Sequence, residues 1–215
     1  LDEDTVMSPT SYEAARLGAG AAVAVARLAL SGAPAFSAMR PPGHHALRGR
    51  AMGFCLTNNV AVAAYSALEE SGAERVLIVD WDVHHGNGTE DIIAGDERVL
   101  MLSFFQHPLY PYSGAVPLGT NMCNLPIPPY TRGPEVREMI EAMWMPRLEE
   151  FKPQMIFISA GFDAHREDPL ASLNLVESDY AWVTKAIMHL AGEFAGDRIV
   201  STLEGGYALS ALGRS

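Results

Sequence analysis

Apolar positions along the chain follow two alternating rhythms. Short runs rich in β-branched and aromatic residues, at 35–39, 75–82, 99–104, 154–160 and 198–203, read as buried strands. Between them lie segments with apolar residues three and four apart. These segments, 11–30, 58–71, 134–151 and 178–194, with a shorter one at 89–94, read as helices. Pro134 suits the first turn of its helix, and Ser178 suits a cap. Strands alternating with helices predict a single α/β domain over 1–215, a central mostly parallel sheet with helices on both faces. The Pro-, Gly- and Tyr-rich stretch 106–131 has little periodicity and reads as a long loop.

Reactive side chains gather where the predicted strands end. After the strand at 75–82 the chain reads Asp80-Trp81-Asp82-Val83-His84-His85-Gly86-Asn87-Gly88-Thr89. A strand alternates its side chains, so Asp80, Asp82 and His84 are expected to point to one side. Such groups are costly to desolvate unless they are paired or hold a metal. Asp82 and His84 offer an oxygen and a nitrogen, which suits zinc with an open position. The plain alternative is a strand end whose polar residues spill into a loop. Three further strand ends carry Arg40 to Ala46, Ala160 to Arg166, and Glu204 to Tyr207. Taken singly, a His pair, an Asp after a strand or a Gly-Gly-Tyr turn has an ordinary structural reading. In open α/β sheets, however, ligands bind outside the carboxyl ends of the strands. Together these ends supply three metal ligands (Asp82, His84, Asp163), two imidazoles (His44, His45) and a phenol (Tyr207). That set suits metal-assisted hydrolysis of an amide.

Composition narrows the partners. The 215 residues are 48% hydrophobic and 19% charged, ordinary for a domain with one sizeable core. A net charge of −11 argues against direct nucleic-acid binding and favours a cationic substrate. No apolar run reaches membrane-spanning length; the longest, 19–30, is interrupted by Arg27. No membrane partner is therefore expected. Two cysteines are too few for a disulfide framework, so a cytoplasmic location is expected. Cys55 reads as a small buried hydrophobe and His189 as structural. His107 and His165 read as rim residues without a role. The chain begins at Leu1 and stops soon after a glycine-rich turn, so truncation at both ends is also expected.

Five motifs, in this order, resemble the zinc-dependent histone deacetylase and acetylpolyamine amidohydrolase family: RPPGHHA (40–46), GFCLTNN (53–59), VDWDVHHGNGTED (79–91), SAGFDAHREDPL (159–170) and LEGGY (203–207). The resemblance implies the arginase/deacetylase fold. It implies zinc held by Asp82, His84 and Asp163, and tandem catalytic histidines His44 and His45. Asp80 stands behind His44. Asn87 stands behind His45, where some members carry a carboxylate and the class II and bacterial branch carries Asn. Tyr207 matches the tyrosine that polarises the substrate carbonyl. Gly53, Phe54, Tyr110 and Leu170 match the substrate tunnel, as do Gly205 and Gly206 before the tyrosine. Asp80, Asp82, His84, Ser103 and Phe104 resemble a potassium site made largely of main-chain oxygens. The implied substrate is an acetylated lysine or an acetylated polyamine, with homo-oligomerisation open. Two other readings remain at this stage. One is a dimanganese ureohydrolase, which would need a second Asp where His165 stands. The other is a deacetylase-like module that binds acyl-lysine without turnover.

Overall fold

The computed structural model describes residues 2–215. Six strands form one sheet: β1 (Ala35–Ser37), β2 (Val76–Asp80), β3 (Val99–Gln106), β4 (Met122–Ile127), β5 (Met155–Ala160) and β6 (Ile199–Leu203). They lie in the order β1-β6-β5-β2-β3-β4, and every neighbouring pair is parallel. The helices are α1 (Ser11–Ala29), α2 (Asn59–Glu70), α3 (Asn87–Ile93), α4 (Gly133–Phe151), α5 (Glu177–Leu190) and α6 (Leu209–Arg214), with a π-helical turn at Ala191–Ala195. No helix among the described residues is long and apolar enough to cross a membrane.

The continuous apolar runs become the central strands, because helices cover both faces of the sheet. Every residue of β2, β3 and β5 is buried. Alternate residues feed two separate cores. Leu77, Val79, Leu102 and Ile158 pack with α4 and α5, around Ile140, Trp144 and Ile187. Ile78, Met101, Phe157 and Val200 pack with α1 and α2. On α1 the buried face is Ala15, Gly18, Ala22, Ala26 and Ala29, spaced by threes and fours. These small residues let α1 lie close to Val60, Ala63, Ala64 and Ala67 of α2.

The winding direction reverses at the centre of the sheet. From β1 the chain crosses to β2 and then to β3, using α2 and α3 on one face. From β4 it returns to β5 and then to β6, using α4 and α5 on the other. Right-handed crossovers running in opposite directions must use opposite faces. The reversal leaves a crevice between the carboxyl ends of β2 and β5, where open α/β sheets bind ligands.

The structure corrects several expectations. The stretch 106–131 contains β4, whose Met122 pairs with Met101 and whose Ile127 pairs with Gln106. Asn124 and the exposed Pro126 interrupt its apolar pattern, and an edge strand tolerates the missing proline N–H. The strand expected over 75–82 ends at Asp80. Ser178 lies inside the first turn of α5 and does not cap it. The Asp179 carboxylate instead accepts a hydrogen bond from the Val176 N–H at 2.9 Å. Asn58 does cap α2, accepting from the Ala61 N–H at 3.0 Å.

The two-sided core yields a stability prediction. Phe157, fully buried in β5, packs beneath α1 and α2. Phe157→Ala is predicted to cost ~3–5 kcal/mol. A urea midpoint unchanged from the parent would show that this face does not carry the fold.

Candidate functional site

Asp82 and Asp163 arrive in the crevice from the ends of β2 and β5. Beyond Asp80 the chain leaves the strand and bends through 81–86 before α3. The bend, not strand alternation, therefore brings Asp82 and His84 to the same side. His84 Nδ1 lies 3.1 Å from Asp82 Oδ1 and 3.1 Å from Asp163 Oδ2. The ligand atoms of the three residues all fall within 4.8 Å of one another. Backbone N–H groups aim the carboxylates: Val83 donates to Asp163 Oδ1 at 2.9 Å, and Gly205 donates to Asp82 Oδ2 at 2.8 Å. A Cβ on Gly205 would sit 2.1 Å from Asp163 Oδ2 and 2.7 Å from Asp82 Oδ2, so this position requires glycine.

Electrostatics explain why such a cluster needs a cation. Asp82 and Asp163 are 0% and 1% exposed. Burial and the neighbouring Asp82 charge push the Asp163 carboxyl up to about 6. Burial pulls the His84 imidazole down, but hydrogen bonds and charge from Asp163 and Asp82 outweigh it and lift the group to about 10. Two desolvated carboxylates thus compete for one positive charge at the spot that His84 Nδ1 faces. An oxygen, nitrogen, oxygen donor set around that point fits a divalent metal such as zinc, with positions left open.

The tandem histidines sit beside this cluster in different surroundings. His44 Nδ1 lies 3.0 Å from Asp80 Oδ2, and His45 Nδ1 lies 2.7 Å from Asn87 Oδ1. The two rings are 4.0 Å apart. Burial alone would lower both. Around His44 the charges of Asp82, Asp80 and Glu204 reverse that and hold it well above the usual imidazole value. His45 has a neutral amide behind it and His44 beside it, so burial and that positive neighbour hold it well below. One imidazole is set to be cationic and the other neutral.

Glu204 is a site residue that sequence reasoning did not single out. Its Oε2 accepts hydrogen bonds from the Gly43 N–H at 2.7 Å and the His44 N–H at 3.1 Å. It thereby fixes the backbone that carries the histidines. Burial lifts its carboxyl to about 7. A charged residue at the exit of β6, before two glycines, was the available signal.

A cavity of about 330 Å³ opens above these groups. Of the residues singled out from the sequence, His44, His45, Gly53, Phe54, Asp82, His84, Tyr110, Leu170, Gly205 and Tyr207 line it. Asp4, Pro42, Leu109 and Tyr112 also line it and were not anticipated. Gly206, expected in the tunnel, does not line it; a Cβ there would meet Leu212 and Phe162 instead. The wall at Gly53-Phe54 is held in an unusual backbone conformation, with φ of 56° and 65°. A Cβ on Gly53 would lie 2.4 Å from the His45 ring, and a non-glycine residue at positive φ is strained. The amino-terminal segment holds this turn in place. Asp2 Oδ2 accepts from the Gly53 N–H at 3.0 Å and from the Tyr110 hydroxyl at 2.8 Å. Thr5 Oγ1 accepts from the Phe54 N–H at 3.1 Å. The Phe54 and Tyr207 rings face each other at 6.3 Å, nearly edge to face. Burial and the Asp82 and Asp163 charges push the Tyr207 phenol well up, so it stays a hydrogen-bond donor.

Other expected residues fall in different places. His165 is buried rather than on a rim, and its Nδ1 accepts from the Glu167 N–H at 3.2 Å. Ser103 pairs with Asp80 across β2 and β3, while the Phe104 ring stacks on Trp144 in the core. Cys55 is fully buried, and burial raises its thiol well above the ordinary value. A larger open groove of about 660 Å³, lined by Arg75, Arg147 and Lys152, lies at the amino-terminal edge of the sheet and contains none of this chemistry.

The profile described as the histone deacetylase domain matches residues 1–215. The chain belongs to the histone deacetylase family. The crystal structure of the HDA15 HD domain superposes with a TM-score of 0.93 at 38% identity, covering 100% of this chain and 63% of that one. The histone deacetylase-like amidohydrolase of Pseudomonas aeruginosa is 41% identical over 217 residues, 97% of this chain and 57% of that protein. A Methanothermobacter thermautotrophicus protein named "Probable deacetylase" is 44% identical over 223 residues, 100% of this chain and 66% of that protein. The chain thus spans roughly three-fifths of the length of these relatives. The solved neighbour supports the arginase/deacetylase fold expected from the motifs.

The close approach at Gly205 gives a direct test of the cluster. Gly205→Ala is predicted to displace both carboxylates and weaken metal binding by at least ~10–100-fold, with the fold retained. Unchanged metal affinity, read by competition with a chromogenic chelator, would place the metal elsewhere.

Proposed function

We propose that this chain carries a zinc-dependent deacetylase site. It hydrolyses the amide of an acetylated amine, an acetyl-lysine or an acetylpolyamine, to the free amine and acetate. The observation that carries this reading is the pairing of two adjacent imidazoles of opposite charge preference with the Asp82–His84–Asp163 cluster, in one cavity. A metal held by those three residues supplies Lewis acidity toward the acyl carbonyl and the attacking water.

The remaining steps belong to the protein's own groups. His45, neutral and backed by Asn87, takes a proton from water as its oxygen attacks the carbonyl carbon. His44, cationic and backed by Asp80, stabilises the negative charge that develops. Tyr207 donates its phenolic hydrogen to the carbonyl oxygen as that oxygen becomes an oxyanion. When the carbon–nitrogen bond breaks, the proton passes from the imidazole pair to the leaving amine. Phe54, Tyr110, Tyr112 and Leu170 form a slot for an apolar methylene chain. Among the described lining residues the acids are Asp4 and Asp82, and no lysine or arginine appears, which suits a substrate with a cationic or neutral tail. A potassium ion on the main-chain oxygens around Asp80, Asp82, His84, Ser103 and Phe104 is part of the same proposal. So is work in a reducing, cytoplasmic compartment, which suits two free buried cysteines.

The ureohydrolase reading gains nothing from the geometry, since His165 stands where a second Asp is needed and its ring accepts from the Glu167 N–H. The test is acetate release from an acetyl-lysine peptide and from N-acetylputrescine by zinc-loaded protein. The proposal predicts release from at least one, and loss of that activity on chelation with recovery on adding zinc. Binding of both without release would favour the non-catalytic module. Tyr207→Phe is predicted to keep the metal and lose roughly 10²–10³-fold in kcat. Asp163→Ala is predicted to lose the metal; normal zinc content in that variant refutes its role as a ligand.

A further inference from the structure

We propose that Asp168 is a positioning residue that holds the Tyr207 ring at the site and ties it to Leu170, another residue lining the cavity. The inference rests on the reading of Tyr207 as the oxyanion donor.

The Tyr207 segment is anchored in steps. After β6, the Glu204 N–H donates to the Ala160 carbonyl, and the Gly205 N–H donates to Asp82. Gly206 follows at φ 137°, a conformation that glycine adopts without strain. Beyond it, two successive N–H groups converge on one carboxylate oxygen. Tyr207 donates to Asp168 Oδ2 at 2.7 Å and Ala208 donates to it at 3.1 Å. The other oxygen, Oδ1, accepts from the Leu170 N–H at 3.1 Å. Asp168 is only 6% exposed, so these charge-assisted bonds are shielded from water. One buried carboxylate therefore fixes the backbone under both Tyr207 and Leu170, and both residues line the cavity.

The chemistry needs a carboxylate. An asparagine has the same shape but a single carbonyl oxygen. If that oxygen faces Tyr207 and Ala208, the amide N–H groups meet the Leu170 N–H. If it faces Leu170, they meet the other two. Either way donor faces donor, and the anchor of the Tyr207 backbone is lost.

The test is a double-mutant cycle on zinc-loaded protein with the substrate that the parent turns over. Asp168→Asn is predicted to lose ~10²-fold in kcat, with KM changed less than about threefold and metal content unchanged. In the Tyr207→Phe background the same change is predicted to cost less than about twofold, because its route to the reaction is already gone. Full additional loss in that background overturns the proposal, since Asp168 would then act by another path. An active Tyr207→Phe parent would sink the reading of Tyr207 itself, a separate failure. Amide hydrogen exchange of the unmodified protein decides the bonds whether or not Asp168→Asn folds or any substrate is found. Tyr207 and Ala208 are predicted to exchange at least ~10-fold more slowly than Leu209. Exchange as fast as that of Leu209 would also overturn the proposal.

Discussion

Two carboxylates that repel each other, buried at the point where the sheet reverses its winding, set the terms for the rest of the molecule. Asp82 and Asp163 come from the ends of neighbouring strands, β2 and β5, and meet at His84. Removed from water, the pair is unfavourable without a cation. The surrounding structure supports the pair rather than relieving it. Backbone N–H groups of Val83 and Gly205 hold the oxygens, and glycine at 205 gives them room. Paired β strands on both sides and two separate cores keep the strand ends from moving apart.

The same negative field gives two identical side chains different tasks. His44 and His45 are adjacent in sequence and equally buried, yet only His44 has a carboxylate behind it. Asp80 and Asp82 favour a proton on His44, and burial together with that charge keeps His45 neutral. The acid–base pair proposed above thus rests on one choice, Asp80 against Asn87, made at the two ends of a short loop. Glu204 adds to the field and fixes the peptide that carries both rings. Opposed environments for like groups are a general way to separate acid and base functions.

Much of this was legible in the chain. Apolar runs of five to eight residues became the buried strands β2, β3, β5 and β6 because parallel strands covered on both faces have no polar side. The reactive side chains could be placed at strand ends, and the family motifs then named their roles. What escaped depended on tertiary neighbours. β4 was hidden because an edge strand can hold Asn124 and Pro126. The bend after Asp80 was read as continuing strand, although two of its three polar groups reach the site by leaving it. Asp2, Thr5, Glu204 and Asp168 carry no motif of their own. They reach other segments by accepting backbone N–H groups 39 to 161 positions away, a relation that periodicity does not encode.

The central claim is that the Asp82–His84–Asp163 cluster holds one metal ion through oxygen and nitrogen alone. Metal content of the purified protein, combined with X-ray absorption at the zinc edge, tests it most directly. The account predicts one zinc per chain, with light-atom ligands at about 2.0–2.2 Å, a single imidazole signature and no sulfur. Two metal ions per chain, or a sulfur ligand that would implicate Cys55, would contradict it.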